Sequence, residues 1–163
     1  MSVREFLQQK TQKDREEKRN KADAISEAQE QNASKIQAIA PAMKKMYSLF
    51  YDLSRDIRKA GYCCTLRATQ YTDFGSNNTY TGEIYLGGIW QKKPTHPCKE
   101  LDIISLMKDK YISCRIDNSF ESVTFSLINR PATPIHYTHK PSDNLEKMAE
   151  EYVEQFLKMV IGE

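Results

Sequence analysis

Residues 36–57 read IQAIAPAMKKMYSLFYDLSRDI. Large apolar residues recur through this stretch in alternating steps of three and four: Ile36, Ile39, Met43, Met46, Phe50, Leu53 and Ile57. A spacing of 3.5 residues places such side chains along one seam of an α-helix. The stretch therefore predicts a helix with one apolar face, which packs either on the chain's own sheet or against a second chain.

Two residues limit this helix. Pro41 removes a backbone hydrogen bond and clashes with the carbonyl four residues earlier, so we expect a kink or a new helix start near Ala40. Gly61 can adopt the left-handed conformation that commonly ends helices. The helix should therefore end at Ala60.

The sequence before the apolar seam is strongly polar. From Gln8 to Asp23 the only apolar residue is Ala22, so this stretch cannot bury a helix face. Its composition still favours helix, since it lacks Gly and Pro and is rich in Gln, Lys, Glu and Arg. We assign residues 1–35 to a charged helical arm and residues 36–163 to a single α+β domain.

The first residues carry their own signals. Ser2 and Glu5 fit a capping box, which would start a helix at Val3. Val3, Phe6 and Leu7 then form an apolar patch at i, i+3 and i+4. The patch is either a short docking segment or part of a frayed terminus.

After Gly61 the apolar period changes from 3.5 to 2, which is typical of half-buried strands. Two hairpins are predicted, one over residues 62–90 and one over residues 112–127, whereas residues 100–108 fit either helix or strand. Residues 129–141 hold three prolines and are predicted to be irregular, and Asp143 with Glu146 offers a second capping box. We expect an α+β fold with a long kinked N-terminal helix, a four-stranded antiparallel sheet from the two hairpins, and a C-terminal helix packed on the same face.

Composition narrows the class of protein. The net charge is +2, with +4 in residues 1–60 and −4 in residues 142–163. This surplus of basic residues is too small to predict nucleic-acid binding by itself. The sequence has no run of 18 apolar residues, so no membrane span is expected. The first residues also lack the apolar run of a signal peptide. The four cysteines are accordingly interpreted as reduced thiols in a cytoplasmic protein.

No catalytic motif is present: there is no phosphate-binding glycine loop, nucleophile elbow or HExxH. His96 with Cys98, and His136 with His139, could supply four zinc ligands, but their spacing fits no strong pattern. We predict no enzyme, no cofactor and no metal site. A further hypothesis is an enzyme or ligand carrier with a pocket beneath Gly82, Gly88 and Trp90 that uses His96.

The leading hypothesis is a non-catalytic cytoplasmic binding protein that acts as an adaptor, inhibitor or regulatory subunit and forms a homo-oligomer, with a protein partner and no membrane. The seam predicted for the partner or for self-association comprises Ile25, Ile36, Ile39, Met43, Met46 and Phe50. The alternative is a nucleic-acid-binding protein that uses a basic stripe within residues 10–59. The residues predicted to contact nucleic acid are Lys10, Lys13, Arg15, Lys18, Arg19, Lys44 and Lys45.

Overall fold

The computed structural model describes residues 2–73, 78–91 and 108–162, without the side chains of residues 24–30 and 91. Helix α1 (Val3–Lys59) precedes five strands and helix α2 (Leu145–Ile161) follows them. The strands are β1 (Tyr62–Thr72), β2 (Thr79–Gln91), β3 (Lys110–Ile116), β4 (Val123–Asn129) and β5 (Ile135–His139). The predicted α+β class is confirmed, whereas residues 100–107 lie outside the described residues.

The sheet is an antiparallel meander in which each strand pairs with the next, in the order β1-β2-β3-β4-β5. Strand alternation sends every second side chain to the face that carries the helices. Two apolar rows cross this inner face in register: Leu66, Leu86, Ile112, Leu127 and Ile135 in one, and Ala68, Ile84, Cys114, Phe125 and Tyr137 in the other.

The sheet has one strand more than predicted. Residues 129–141 were expected to be irregular, but Ile135–His139 pairs with β4 as an edge strand. The prolines flank this strand instead of interrupting it, since Pro131 and Pro134 precede it and Pro141 follows it. The intervening residues are mainly β-branched or aromatic, which favours a strand.

Helix α1 has 57 residues and continues through Pro41. Of the two effects predicted for Pro41, a kink or a new helix start near Ala40, the new start does not occur. The capping box of Ser2 and Glu5 is present as predicted. The last turn ends at Lys59 with Ala60 as its C-cap, and Gly61 follows with φ +94°. Helix α1 packs on β1 and β2, and helix α2 packs on β2, β3 and β4.

Helix α2 starts one residue later than the predicted capping box would place it. Asn144 is the N-cap, and its side-chain oxygen accepts a hydrogen bond from the backbone N–H of Lys147. Asp143 instead accepts from the backbone N–H of Lys140 at 2.9 Å, which tightens the turn between β5 and the helix. Within the described parts of the chain, no helix is long and apolar enough to cross a membrane.

Candidate assembly surface

The apolar seam of residues 36–57 is buried within this single chain. Met43, Met46 and Phe50 have 0–1% of their surface exposed, and Ile39 is equally buried. Ile36, at 7% exposure, marks the point where the seam begins. Of the two alternatives that the sequence left open, the seam packs on the chain's own sheet and not against a second chain. Five of the six residues predicted for the partner or for self-association are buried in this core, and the side chain of Ile25 is outside the described residues.

The arm projects beyond this core. Every side chain from residue 2 to residue 23 is exposed, as are those of residues 31, 32 and 34. A helix rises 1.5 Å per residue, so α1 is roughly 85 Å long and the arm contributes about 50 Å of it. A single ion pair joins the arm to the domain among the described residues, from Lys35 Nζ to Glu121 Oε1 at 2.8 Å.

The first two turns of α1 expose large apolar side chains. Val3, Phe6 and Leu7 have 76%, 55% and 56% of their surface in solvent. The capping box holds these turns in helical form, since Ser2 Oγ accepts from the Glu5 backbone N–H at 3.2 Å. The three side chains therefore form a defined apolar surface on a helix, which is the form in which helical peptides enter grooves.

A groove of about 780 Å³ lies where the arm joins the part of α1 that packs on the sheet. One wall is α1 itself and the other is the β1–β2 hairpin. Among the described residues, the apolar side chains that line this groove are those of Ile36, Ala40, Pro41 and Tyr80. No sequence signal marked this groove, because it depends on how the hairpin lies against the helix.

The predicted basic stripe is not continuous. At 100° per residue, the basic residues 10, 13, 15, 18 and 19 fall at widely different angles around the helix axis, with Asp14, Glu16 and Glu17 among them. Lys44 borders the groove described above, and Lys45 borders a second groove, of about 460 Å³, on the side of α2. The seven residues thus do not converge on one surface.

The two histidines in β5 lie on opposite faces of the sheet. His136 is exposed on the outer face, where its Nδ1 lies 2.7 Å from Ser126 Oγ. His139 lies on the inner face, with Nε2 2.5 Å from Tyr152 Oη. They cannot share a metal ion, and His96 and Cys98 lie outside the described residues. Among the residues that are described, no three His, Cys, Asp or Glu side chains gather around a metal position.

The outer face of the sheet carries a polar and aromatic network. Tyr85 donates a hydrogen bond from its hydroxyl to Glu83 Oε2 at 2.6 Å, and its ring meets Tyr111 edge-on with centroids 5.6 Å apart. Burial, followed by the bond to Glu83, raises the pKa of Tyr85 to about 12. The ring of Tyr71 lies over Gly82, where an added Cβ would come within 2.2 Å of it. Tyr71 thus fills the space beside Gly82 that the sequence left open for a ligand.

The cysteines differ from the predicted four reduced thiols. Cys63 is in a disulfide, whereas Cys64 and Cys114 are free and buried. Burial raises the pKa of the Cys64 thiol to about 12, partly offset by Arg58, and raises that of Cys114 still further. Burial therefore disfavours the reactive thiolate form of both free cysteines.

These features define an α+β domain with a solvated helical arm as its most accessible candidate surface. No protein-family model, curated protein or solved structure shows a significant match to this chain.

Proposed function

We propose that this chain is a non-catalytic protein-binding module, of the adaptor, inhibitor or regulatory-subunit kind, that forms a homodimer through its arm. The observation that carries the proposal is the exposure of every side chain from residue 2 to residue 23 in a helix whose other end is fixed in a core.

The physical argument concerns what keeps such a helix folded. Helices in proteins owe most of their stability to packing of one face against other structure. Among residues 2–23 no side chain is buried, and no ion pair within 4 Å joins two of them. A second chain that covers Val3, Phe6 and Leu7, and that sets opposite charges beside the polar stretch, would provide contacts that the arm lacks in a single chain.

The apolar patch at the start of α1 supports the same proposal. Val3, Phe6 and Leu7 are more than half exposed, and a patch of this kind on a helix usually marks an interaction site. Burial of three such side chains would favour association by roughly 25 cal/mol for each Å² of apolar surface removed from water.

The mass of the full chain in solution tests the proposal. Light scattering on a sizing column should give twice the mass of 18.9 kDa. A variant that lacks residues 1–34 should give the monomer mass, and its circular dichroism should report whether the sheet and α2 remain folded. A full-length chain that stays monomeric at roughly 200 µM, far above the Kd of a stable dimer, would exclude self-association.

A cytoplasmic location remains a prediction from the sequence. The Cys63 disulfide counts against it, because structural disulfides are rare in that reducing compartment.

A further inference from the structure

We infer that the two arms of the dimer pair in antiparallel orientation, with the apolar patch Val3, Phe6 and Leu7 of each chain seated in the groove beside Ile36, Ala40 and Tyr80 of the other. This inference rests on the proposed self-association and specifies its geometry and contact surfaces.

The charge distribution along the arm favours antiparallel pairing. Residues 4–21 hold seven basic and four acidic residues, a net charge of +3, whereas residues 22–34 hold three acidic residues, Asp23, Glu27 and Glu30, and no basic ones. A parallel pair would set each half against its own copy, where like charges repel. An antiparallel pair sets the basic half of one arm beside the acidic half of the other, and such charge complementarity is what selects orientation in helix pairs.

The position of the groove is compatible with this charge boundary. The patch spans residues 3–7, and the α1 residues that line the groove lie between 36 and 44, so a two-fold axis that pairs them lies between residues 19.5 and 25.5. The sign of the arm's charge changes between residues 21 and 22, within this interval. One antiparallel register can therefore seat the apolar patch and pair the opposite charges.

The groove is also within reach of a second chain but not of its own arm. Phe6 and Gln37 lie on one continuous helix, about 46 Å apart along its axis. A patch on this helix cannot fold back onto the groove without breaking α1. A second copy in antiparallel register brings its patch directly alongside residues 36–44, and two-fold symmetry fills both grooves at once.

Photo-cross-linking of the full-length protein tests the arrangement. Phe6 is replaced by p-benzoylphenylalanine, chains labelled with ¹⁴N and ¹⁵N are mixed, and cross-linked peptides of mixed label are identified by mass spectrometry. We expect intermolecular cross-links to residues 36–44 and 79–81. The matched control carries the label at Tyr51, which is similarly exposed at 50% but lies outside the overlap, and should give no intermolecular product.

The outcomes separate the two proposals. A dimer whose Phe6 label cross-links to residues 1–10 of the other chain would overturn the antiparallel arrangement and leave self-association intact. A monomer mass would overturn both.

Charge-reversal variants give a second, independent test. The triple variant Lys10→Glu, Arg15→Glu, Arg19→Glu changes the net charge of residues 4–21 from +3 to −3. Antiparallel pairing predicts that its dimer dissociation constant rises about tenfold or more, because each half then meets a like charge. Adding Asp23→Lys, Glu27→Lys and Glu30→Lys should restore dimerisation. Circular dichroism confirms that the arm stays helical, and an unchanged constant in the triple variant would overturn the inference.

Discussion

Lys35 Nζ lies 2.8 Å from Oε1 of Glu121, in the turn between β3 and β4. Lys35 directly precedes Ile36, the first buried residue of the seam. It therefore marks the boundary at which α1 stops packing on the sheet and continues as the arm.

The first prediction concerns this ion pair. The hydrogen bond and the charge of Lys35 hold the pKa of Glu121 below its ordinary value. The lowered pKa means that the stabilisation is present above the unfolded-state pKa and is lost as the pH falls through the folded-state pKa. In Lys35→Met, NMR titration should show the Glu121 pKa returning to its ordinary value. Stability should change little at neutral pH, because the two side chains are 39% and 64% exposed and solvent screens the pair. An unchanged Glu121 pKa would show that the pair does not form in solution.

A second prediction tests whether the seam belongs to the chain's own core. Phe50 is fully buried and Tyr51, its neighbour on the same helix, is half exposed. Phe50→Ala should lower the free energy of unfolding by about 3–5 kcal/mol through lost burial and a cavity, whereas Tyr51→Ala should change it by less than about 0.5 kcal/mol. Urea unfolding followed by circular dichroism measures both. Equal, small effects would mean that the seam does not pack as described.

The sequence predicted the elements whose periodicity is set locally. The heptad of residues 36–57 and the alternation in β1 to β4 were read correctly because a buried face repeats at the period of its element. β5 was missed because the three prolines of residues 129–141, Pro131, Pro134 and Pro141, were taken to exclude regular structure from the whole segment. A proline outside the paired residues leaves a strand intact. Pro41 was predicted to cause either a kink in one long helix or a new helix start, and α1 is continuous through it. Packing of Ile39, Met43 and Met46 on the sheet outweighs the one hydrogen bond that the proline removes.

The candidate surface was harder to predict than the fold. The apolar patch at Val3, Phe6 and Leu7 was visible as a helical pattern, but its exposure depends on the absence of any described element beside it. The groove beside Tyr80 joins residues about 40 positions apart. Nothing in the local sequence encodes such a contact, so it required the assembled structure.

A third prediction concerns Tyr85 and Glu83 on the outer sheet face. Because burial is the largest cause of the raised pKa and the bond to Glu83 the next, Glu83→Gln should lower the Tyr85 pKa only part of the way from about 12 towards 10. A tyrosine whose folded-state pKa is raised stabilises the fold below its unfolded-state pKa, and that contribution is lost as the pH rises from 10 through about 12. NMR of the Tyr85 ring carbons follows the titration, with the distant Glu121→Gln as the control. A Tyr85 pKa that does not respond to Glu83→Gln would contradict the hydrogen bond.

The last prediction concerns the thiols. Cys64 is 6% exposed and Cys114 is fully buried, and burial raises the pKa of both, so neither is a thiolate at pH 8. Because the thiolate is the reactive form, a disulfide-exchange reagent should react with them only as the protein opens. In denaturant without reductant Cys64 and Cys114 should react, whereas Cys63 should react only after reduction. Four reactive thiols without reductant would show that Cys63 is reduced in solution, and would remove the main structural argument against a cytoplasmic location. Rapid reaction of the folded protein would instead place Cys64 or Cys114 outside the core.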